Sequence, residues 1–265
     1  MHTSINGFEM SYLCEGDHHN TPIIFIHGFP FNKSFWTEQI SYLKDNFYCI
    51  SYDVRGHGES RDDAPSYNID LFVDDLFGLM DYLKLPKAII CGLSMGGYIA
   101  LRAYERFPDR FISIILAASK SEPDTIEAKT GRLKAIQLLH ENGIEEYAEN
   151  SLRNLFSEAS IVENTASVIK IRNIILQTPI STIEKTLLAL AARSDTSSVL
   201  SKINVPALII GGTEDRMIPM NVLQNMGKQI PHARVNFIPH TAHLVNCENS
   251  IAFNELLKDF LMGIK

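Results

Sequence analysis

The sequence predicts a three-layer α/β fold, a mostly parallel sheet with helices on both faces, interrupted by a block of helices. Three observations predict it. Short apolar runs rich in β-branched residues recur along the chain, as expected of parallel strands covered on both faces. Stretches with helical spacing separate those runs, and alternating strand and helix defines the α/β class. The alternation stops after Ala118, and helical stripes alone follow until about residue 201. The expected organisation is a core formed by residues 1–118 and 202–265, with residues 119–201 inserted as a helical cap.

Taken in order, residues 8–13 (FEMSYL) alternate and predict an antiparallel hairpin at the sheet edge with the run that follows Pro22. Strands are expected at 22–27 (PIIFIH), 47–52 (FYCISY), 88–91 (AIIC), 111–118 (FISIILAA) and 205–211 (VPALIIG), with a weaker one at 235–238. Ile69, Phe72, Val73, Leu76, Leu79, Met80 and Leu83 form a helical stripe between the second and third of these. In the insertion, stripes run over 126–140, 144–156, 161–177 and 180–193. A structureless loop of that length would be improbable. Its apolar residues, among them Leu133, Tyr147, Leu187 and Leu188, must first pack the cap itself, so only a minority can face a substrate.

Composition narrows the function. The 265 residues carry 24 Lys+Arg against 31 Asp+Glu, a formal net charge of −7, and no basic run. A duplex nucleic-acid partner is therefore not expected, because such binding rests on clustered cations neutralising phosphates. The longest apolar stretches fall far short of the roughly 20 residues that a membrane-spanning helix needs. Cys14, Cys49, Cys91 and Cys247 include no C-x-x-C pair and suggest neither a disulfide framework nor a zinc pattern. The start of the chain lacks the basic and apolar regions of a secretory signal. A cytoplasmic protein is expected.

The strongest chemical signal is Gly92-Leu93-Ser94-Met95-Gly96-Gly97, directly after one expected strand and before a helical stretch. This is G-x-S-x-G in the strand–turn–helix setting of a nucleophile elbow. So tight a turn needs neighbours without bulk, and the glycines supply them. The helix that follows turns its free N–H groups and positive dipole end toward the serine, favouring a developing oxyanion. Five residues alone are weak. A serine hydroxyl also needs a base to take its proton and an acid to orient that base.

Both candidates occupy loops beyond later strands, where parallel sheets build their sites. Gly212-Thr213-Glu214-Asp215 follows the run ending at Gly211, and His240-Thr241-Ala242-His243-Leu244 follows the last strand. From the residues alone, Glu214 competes with Asp215 as the acid, Asp53 is a second alternative, and His240 competes with His243 as the base. His18 and His19 look like a surface turn with no third zinc ligand at the right spacing.

With four motifs in order, the sequence resembles the α/β-hydrolase family over nearly the whole chain apart from the cap: His27-Gly28-Phe29-Pro30, the segment from Asp53 to Ser60 (DVRGHGES), the elbow at Ser94, and the Asp215 and His243 loops. The resemblance implies a sheet of about eight strands and a Ser94–His243–Asp215 triad. It places the oxyanion hole at the backbone N–H groups of Phe29 and Met95, and it implies no metal or organic cofactor. A substrate pocket touching Phe29, Met95 and Leu244 follows. The G-x-x-D-x-x-x-P pattern met by Gly212, Asp215 and Pro219 favours Asp215 over Glu214. Asp53 is then read as bracing the turn around Arg55, Gly56, His57 and Gly58. The sequence departs from the family in having Ala242 where a glycine is common before the histidine, and Ser250 where a proline is common after Glu248.

The expected function is hydrolysis of a small carboxylic ester, thioester or lactone through an acyl-enzyme, with a small acyl compound as partner. The stretch Ala191-Ala192-Arg193-Ser194-Asp195, with Ile203-Asn204-Val205-Pro206, looks like the end of the cap in 3-oxoadipate enol-lactonases and haloperoxidase-like esterases. Two rivals keep the triad. A carbon–carbon bond hydrolase or pyruvate-eliminating enzyme would need a cationic clamp, for which Arg102, Arg153, Arg172 and Arg193 are candidates. A signalling module would bind a small ligand with little turnover.

Overall fold

A computed structural model describes residues 1–264. Eight strands form one sheet: β1 His2–Ile5, β2 Phe8–Glu15, β3 Pro22–Ile26, β4 Tyr48–Tyr52, β5 Ala88–Leu93, β6 Phe111–Ala117, β7 Ala207–Gly212 and β8 Arg234–Ile238, in the order β1-β2-β4-β3-β5-β6-β7-β8. From β4 to β8 all pairs are parallel. The predicted strands are all present with ends within two residues of those expected; β2 and β5 each run two residues further and β7 starts two residues later.

The edge hairpin differs from expectation. β2 pairs antiparallel with β1 on one side and β4 on the other, not with β3. The Asn6-Gly7 turn, with φ of 45° and 83°, closes the β1–β2 hairpin and fixes its register at Ile5↔Phe8. β3 passes to the far side of β4, where its purely apolar sequence is covered on both faces.

Side-chain alternation along the strands divides the core into two layers. Ile24, Ile26, Ile50, Ile90, Ile114 and Ile209 lie on the face covered by α2 (Ile69–Tyr82), α3 (Met95–Arg106) and α8 (Met220–Gln229). Ile23, Phe25, Ile89, Ile115 and Leu208 lie on the face covered by α1 (Thr37–Leu43) and α10 (Ser250–Met262). Phe35 and Trp36 belong to this second layer, where Trp36 packs on Phe25 and Phe253.

Between β6 and β7 lie α4 (Ile126–Leu155), α5 (Glu158–Glu163), α6 (Thr165–Gln177) and α7 (Ile180–Ala191). No strand occurs there among the described residues. The helix α4 is broken at Gly143, where φ 84° and ψ 176° are open to glycine alone, so the two predicted stripes meet end to end. The stripe expected over 161–177 is divided at Asn164, whose side chain accepts from the Ser167 amide and starts α6. Thr178 donates to the Pro30 carbonyl and Thr182 to the Gly56 carbonyl, fastening the inserted helices to the loops after β3 and β4. A short α9 (Val245–Glu248) follows β8.

Candidate active site

Ser94 stands between β5 and α3 with φ 52° and ψ −110°. A serine with positive φ is held in a sparsely populated region that costs about 1–3 kcal/mol and persists only where surroundings enforce it. Here they do: the Ser94 amide donates to Ala117 O, and Ser119 Oγ donates to Ser94 O, each at 2.9 Å. The glycines are required by approach distance. A Cβ on Gly92 would stand 2.2 Å from Gly96 O, and one on Gly96 would stand 2.2 Å from Ile26 O.

His243 and Asp215 meet on the loops after β8 and β7. His243 Nδ1 lies 2.9 Å from Asp215 Oδ2, with both side chains almost wholly buried. The other carboxylate oxygen, Oδ1, accepts from the Met217 and Ile218 amides, so the acid is fixed before it orients the imidazole. The histidine loop is braced twice. His243 and Leu244 amides donate to Leu155 O at the end of α4, and Glu248 accepts from the Ala242 and Ser157 amides, both at 2.8 Å. Ala242 does not have positive φ, so the missing glycine carries no backbone strain there.

The competitors are elsewhere. Glu214 and His240 pair with each other at the surface. Asp53 accepts from the Glu59 amide, the Lys33 amide and Lys33 Nζ, bracing the turn after β4. His18 and His19 form an exposed group with Asp17 on a surface turn.

The Phe29 loop is shaped by two buried histidines. Val54 N–H donates to His27 Nε2, which leaves the proton on Nδ1, 2.8 Å from Gly28 O. Burial lowers His27 to about 4, and burial with His27 beside it lowers His57 to about 3, so both are neutral. Among the described residues, neither the Phe29 nor the Met95 amide donates to a protein acceptor.

A cavity of about 450 Å³ opens beside this site, within the usual range for small ligands. Phe29 and Pro30 form its floor with Met217, two residues beyond Asp215, while Leu187 comes from α7. The remaining wall is α4. Before the Gly143 break it presents Ala128, Gly131, Arg132, Ala135 and Leu138; after it, Glu146, Tyr147, Asn150, Ser151, Asn154 and Leu155. Of the expected pocket residues, only Phe29 lines this space. Met95 and Leu244 are fully buried, packed into opposite core layers, because each side chain turns away from the loop that its backbone helps to form. Ser94 and His243 are not among the lining residues either. Of the expected cap residues, Tyr147 and Leu187 face the cavity, whereas Leu133 and Leu188 are exposed.

The clamp candidates fall outside the cavity. Arg102 pairs with Asp70 and Glu105, Arg172 pairs with Glu149, Arg153 is exposed, and Arg193 is buried against Asp124. The cation that does line it is Arg132, which sequence reasoning missed. Its signal was its place in a stripe otherwise made of Ala128, Gly131 and Ala135, small residues that leave an arginine beside open space.

A family profile for the alpha/beta hydrolase fold matches residues 21–250, so the chain belongs to the α/β-hydrolase family and is a hydrolase. It is 29% identical to 3-oxoadipate enol-lactonase 2 of Acinetobacter baylyi over 249 residues, covering 94% of this chain and 91% of that one. It is 27% identical to 3-oxoadipate enol-lactonase 1 of the same organism, covering 100% and 97%. Among solved structures, a thermophilic esterase from Thermogutta terrifontis with malate bound superimposes with a TM-score of 0.94 at 28% identity, covering 100% of this chain and 98% of that one. The enol-lactonase from Burkholderia xenovorans LB400 gives 0.92 at 27%, covering 99% and 100%. Among the described residues no helix is long and apolar enough to cross a membrane.

Proposed function

We infer that the protein hydrolyses a small carboxylic ester, thioester or lactone through an acyl-enzyme. The observation that carries this reading is the buried Asp215–His243 pair, 2.9 Å apart, on loops at the same sheet edge as the strained Ser94. In this mechanism His243 takes the Ser94 proton through Nε2 as Oγ attacks the carbonyl carbon. The tetrahedral oxyanion is held by the Phe29 and Met95 amides, which are worth about 3–4 kcal/mol each in comparable sites. Collapse expels the alcohol, protonated by His243; water then repeats the sequence and releases the acid. Asp215 holds the imidazole tautomer and stabilises the imidazolium. The enol-lactonase and esterase relatives support ester or lactone chemistry.

In the same reading, residues 119–201 act as a cap that shapes the substrate space, and no cofactor takes part. The four cysteines are free thiols, which suits the cytoplasm.

The test is hydrolysis of p-nitrophenyl esters from acetate to octanoate, with Ser94→Ala as control. Turnover that declines with chain length and vanishes in the variant supports the reading. Equal, feeble rates in both proteins overturn it.

A further inference from the structure

The inserted helices leave the core after β6 and rejoin it before β7, and the outgoing and returning segments are fastened to each other. The Thr196 amide and Oγ1 both donate to Ser121 O, and Arg193 Nη2 donates to Glu122 O. Between them Asp124, almost wholly buried, accepts from Arg193 Nη1 at 2.6 Å and also pairs with Arg132 of α4. Two guanidinium groups on one carboxylate leave one positive charge in excess. Arg193 also reaches the core, its guanidinium 4.2 Å from the centre of the Tyr98 ring on the first turn of α3, the helix that follows Ser94.

Lys120 makes the excess larger. It is half-buried, one residue before Ser121, and among the described residues its ammonium has no hydrogen bond or ion pair. Burial, with Arg193 beside it, lowers that ammonium from its usual range. The nearby acids do not answer the charge. Glu122 and Asp195 act from exposed positions, where solvent screens them, and Asp195 is turned to the Ser197 amide. Asp70 and Glu105 are both engaged by Arg102. Desolvated cations need a partner of opposite sign, and here the protein does not supply enough of them.

A space of about 10 Å³ lies at this point, room for one water-sized species. Lys120, Arg193 and Arg102 line it together with the hydroxyl-bearing Ser121, Ser194 and Thr196, and no acid among the described residues does. Arg193 Nε makes no hydrogen bond among the described residues. A water in this space satisfies donors but leaves the charge; a single small anion does both. The volume admits a monoatomic anion and excludes sulfate, phosphate or a carboxylate.

We propose that the neck of the insertion binds a monoatomic anion, with chloride as the probe, between Lys120 and Arg193. The ion is a structural counter-ion: it holds the outgoing segment at Lys120 and Ser121 to the returning segment at Arg193 and Thr196, and both to α3.

Thermal unfolding at fixed ionic strength, with sodium methanesulfonate replaced stepwise by sodium chloride, tests it. The Tm of the parent should rise and saturate, by about 3–6 °C when chloride reaches ten times its Kd. Lys120→Met should not respond. In methanesulfonate alone it should melt no lower than the parent, because it removes an uncompensated cation, and in chloride the order should reverse. Lys120→Arg keeps the charge and should keep a response. Crystals grown in sodium bromide locate the ion, with an anomalous peak expected beside Lys120 and Arg193. A parent that does not respond to chloride, an equal response in the parent and Lys120→Met, or no bromide peak at this position overturns the proposal. Neither readout uses turnover, so the outcome is separate from that of the hydrolase reading.

Discussion

His240 Nδ1 lies 3.5 Å from Glu214 Oε1, and both residues are turned away from Asp215 and His243, their neighbours in sequence. Each of the two loops therefore contributes one member to an exposed pair and one to a buried pair. The exposed pair is screened by solvent and contributes little. The buried pair is fixed by backbone amides and by Glu248.

That division predicts a sharp contrast between variants. Asp215→Asn should lower kcat by about 10⁴-fold and His243→Gln by about 10⁶-fold, since a mispositioned base keeps part of the machinery whereas a missing one leaves only the oxyanion hole and binding. Glu214→Gln and His240→Gln should stay within about twofold of the parent. Steady-state kinetics on a p-nitrophenyl ester decide it. A large loss in the Glu214 or His240 variant would reassign the acid or the base.

Gly96 couples the Ser94 turn to the loop that carries Phe29. A methyl there meets Ile26 O at 2.2 Å and His27 O at 3.1 Å, backbone atoms that lead directly to Phe29. Gly96→Ala should therefore push Ser94 and the Phe29 amide apart. Overpacking of this kind costs about 1–3 kcal/mol, or roughly 2–12 °C in Tm for a chain of this size. We expect kcat to fall more than KM rises. Unchanged kcat in a folded variant would remove Phe29 from the oxyanion hole.

The sequence displayed the strands and the elbow because parallel strands covered on both faces are written as apolar runs, and the tight turn demands glycines. It displayed the edge poorly. β1 is a four-residue strand with two exposed residues and no apolar alternation, so only the Asn6-Gly7 dipeptide announced the hairpin. Arg132 was hidden for another reason. Whether a charged residue on an amphipathic helix faces solvent or a cavity depends on what the opposite wall supplies, and here that wall is Phe29 and Leu187, far away in sequence.

His27 and His57 should make the fold acid-sensitive. An unfolded histidine takes a proton near pH 6.5, whereas folded His27 does so only at about 4 and His57 at about 3, because burial disfavours the cation. Between those values the unfolded chain binds protons that the folded chain does not. The stability from keeping them neutral is complete above about pH 6.5 and is lost as pH falls toward 4 and 3, by about 1.4 kcal/mol per pH unit for each group. Urea midpoints at pH 7.5, 6 and 5 should decline accordingly. A midpoint constant down to pH 5 would contradict the neutral assignment.

The two glycines of α4 should respond in opposite directions to the same change. Gly143 has φ 84° and ψ 176°, a conformation that only glycine adopts readily, and there the helix turns from one cavity wall to the other. Gly143→Ala should cost about 1–3 kcal/mol. Gly131 lies in regular helix with nothing within 4 Å of a new Cβ. Gly131→Ala should stabilise by up to about 1 kcal/mol, because alanine loses less chain entropy on entering a helix. Its methyl also takes space from the cavity beside Arg132, so bulky acyl groups should lose kcat/KM while acetate does not. Thermal unfolding read with amide exchange across α4 separates the two, since a local opening at Gly143 would raise exchange even where Tm hardly moves. Destabilisation by Gly131→Ala equal to that by Gly143→Ala would mean that the helix break does not depend on the conformation of Gly143.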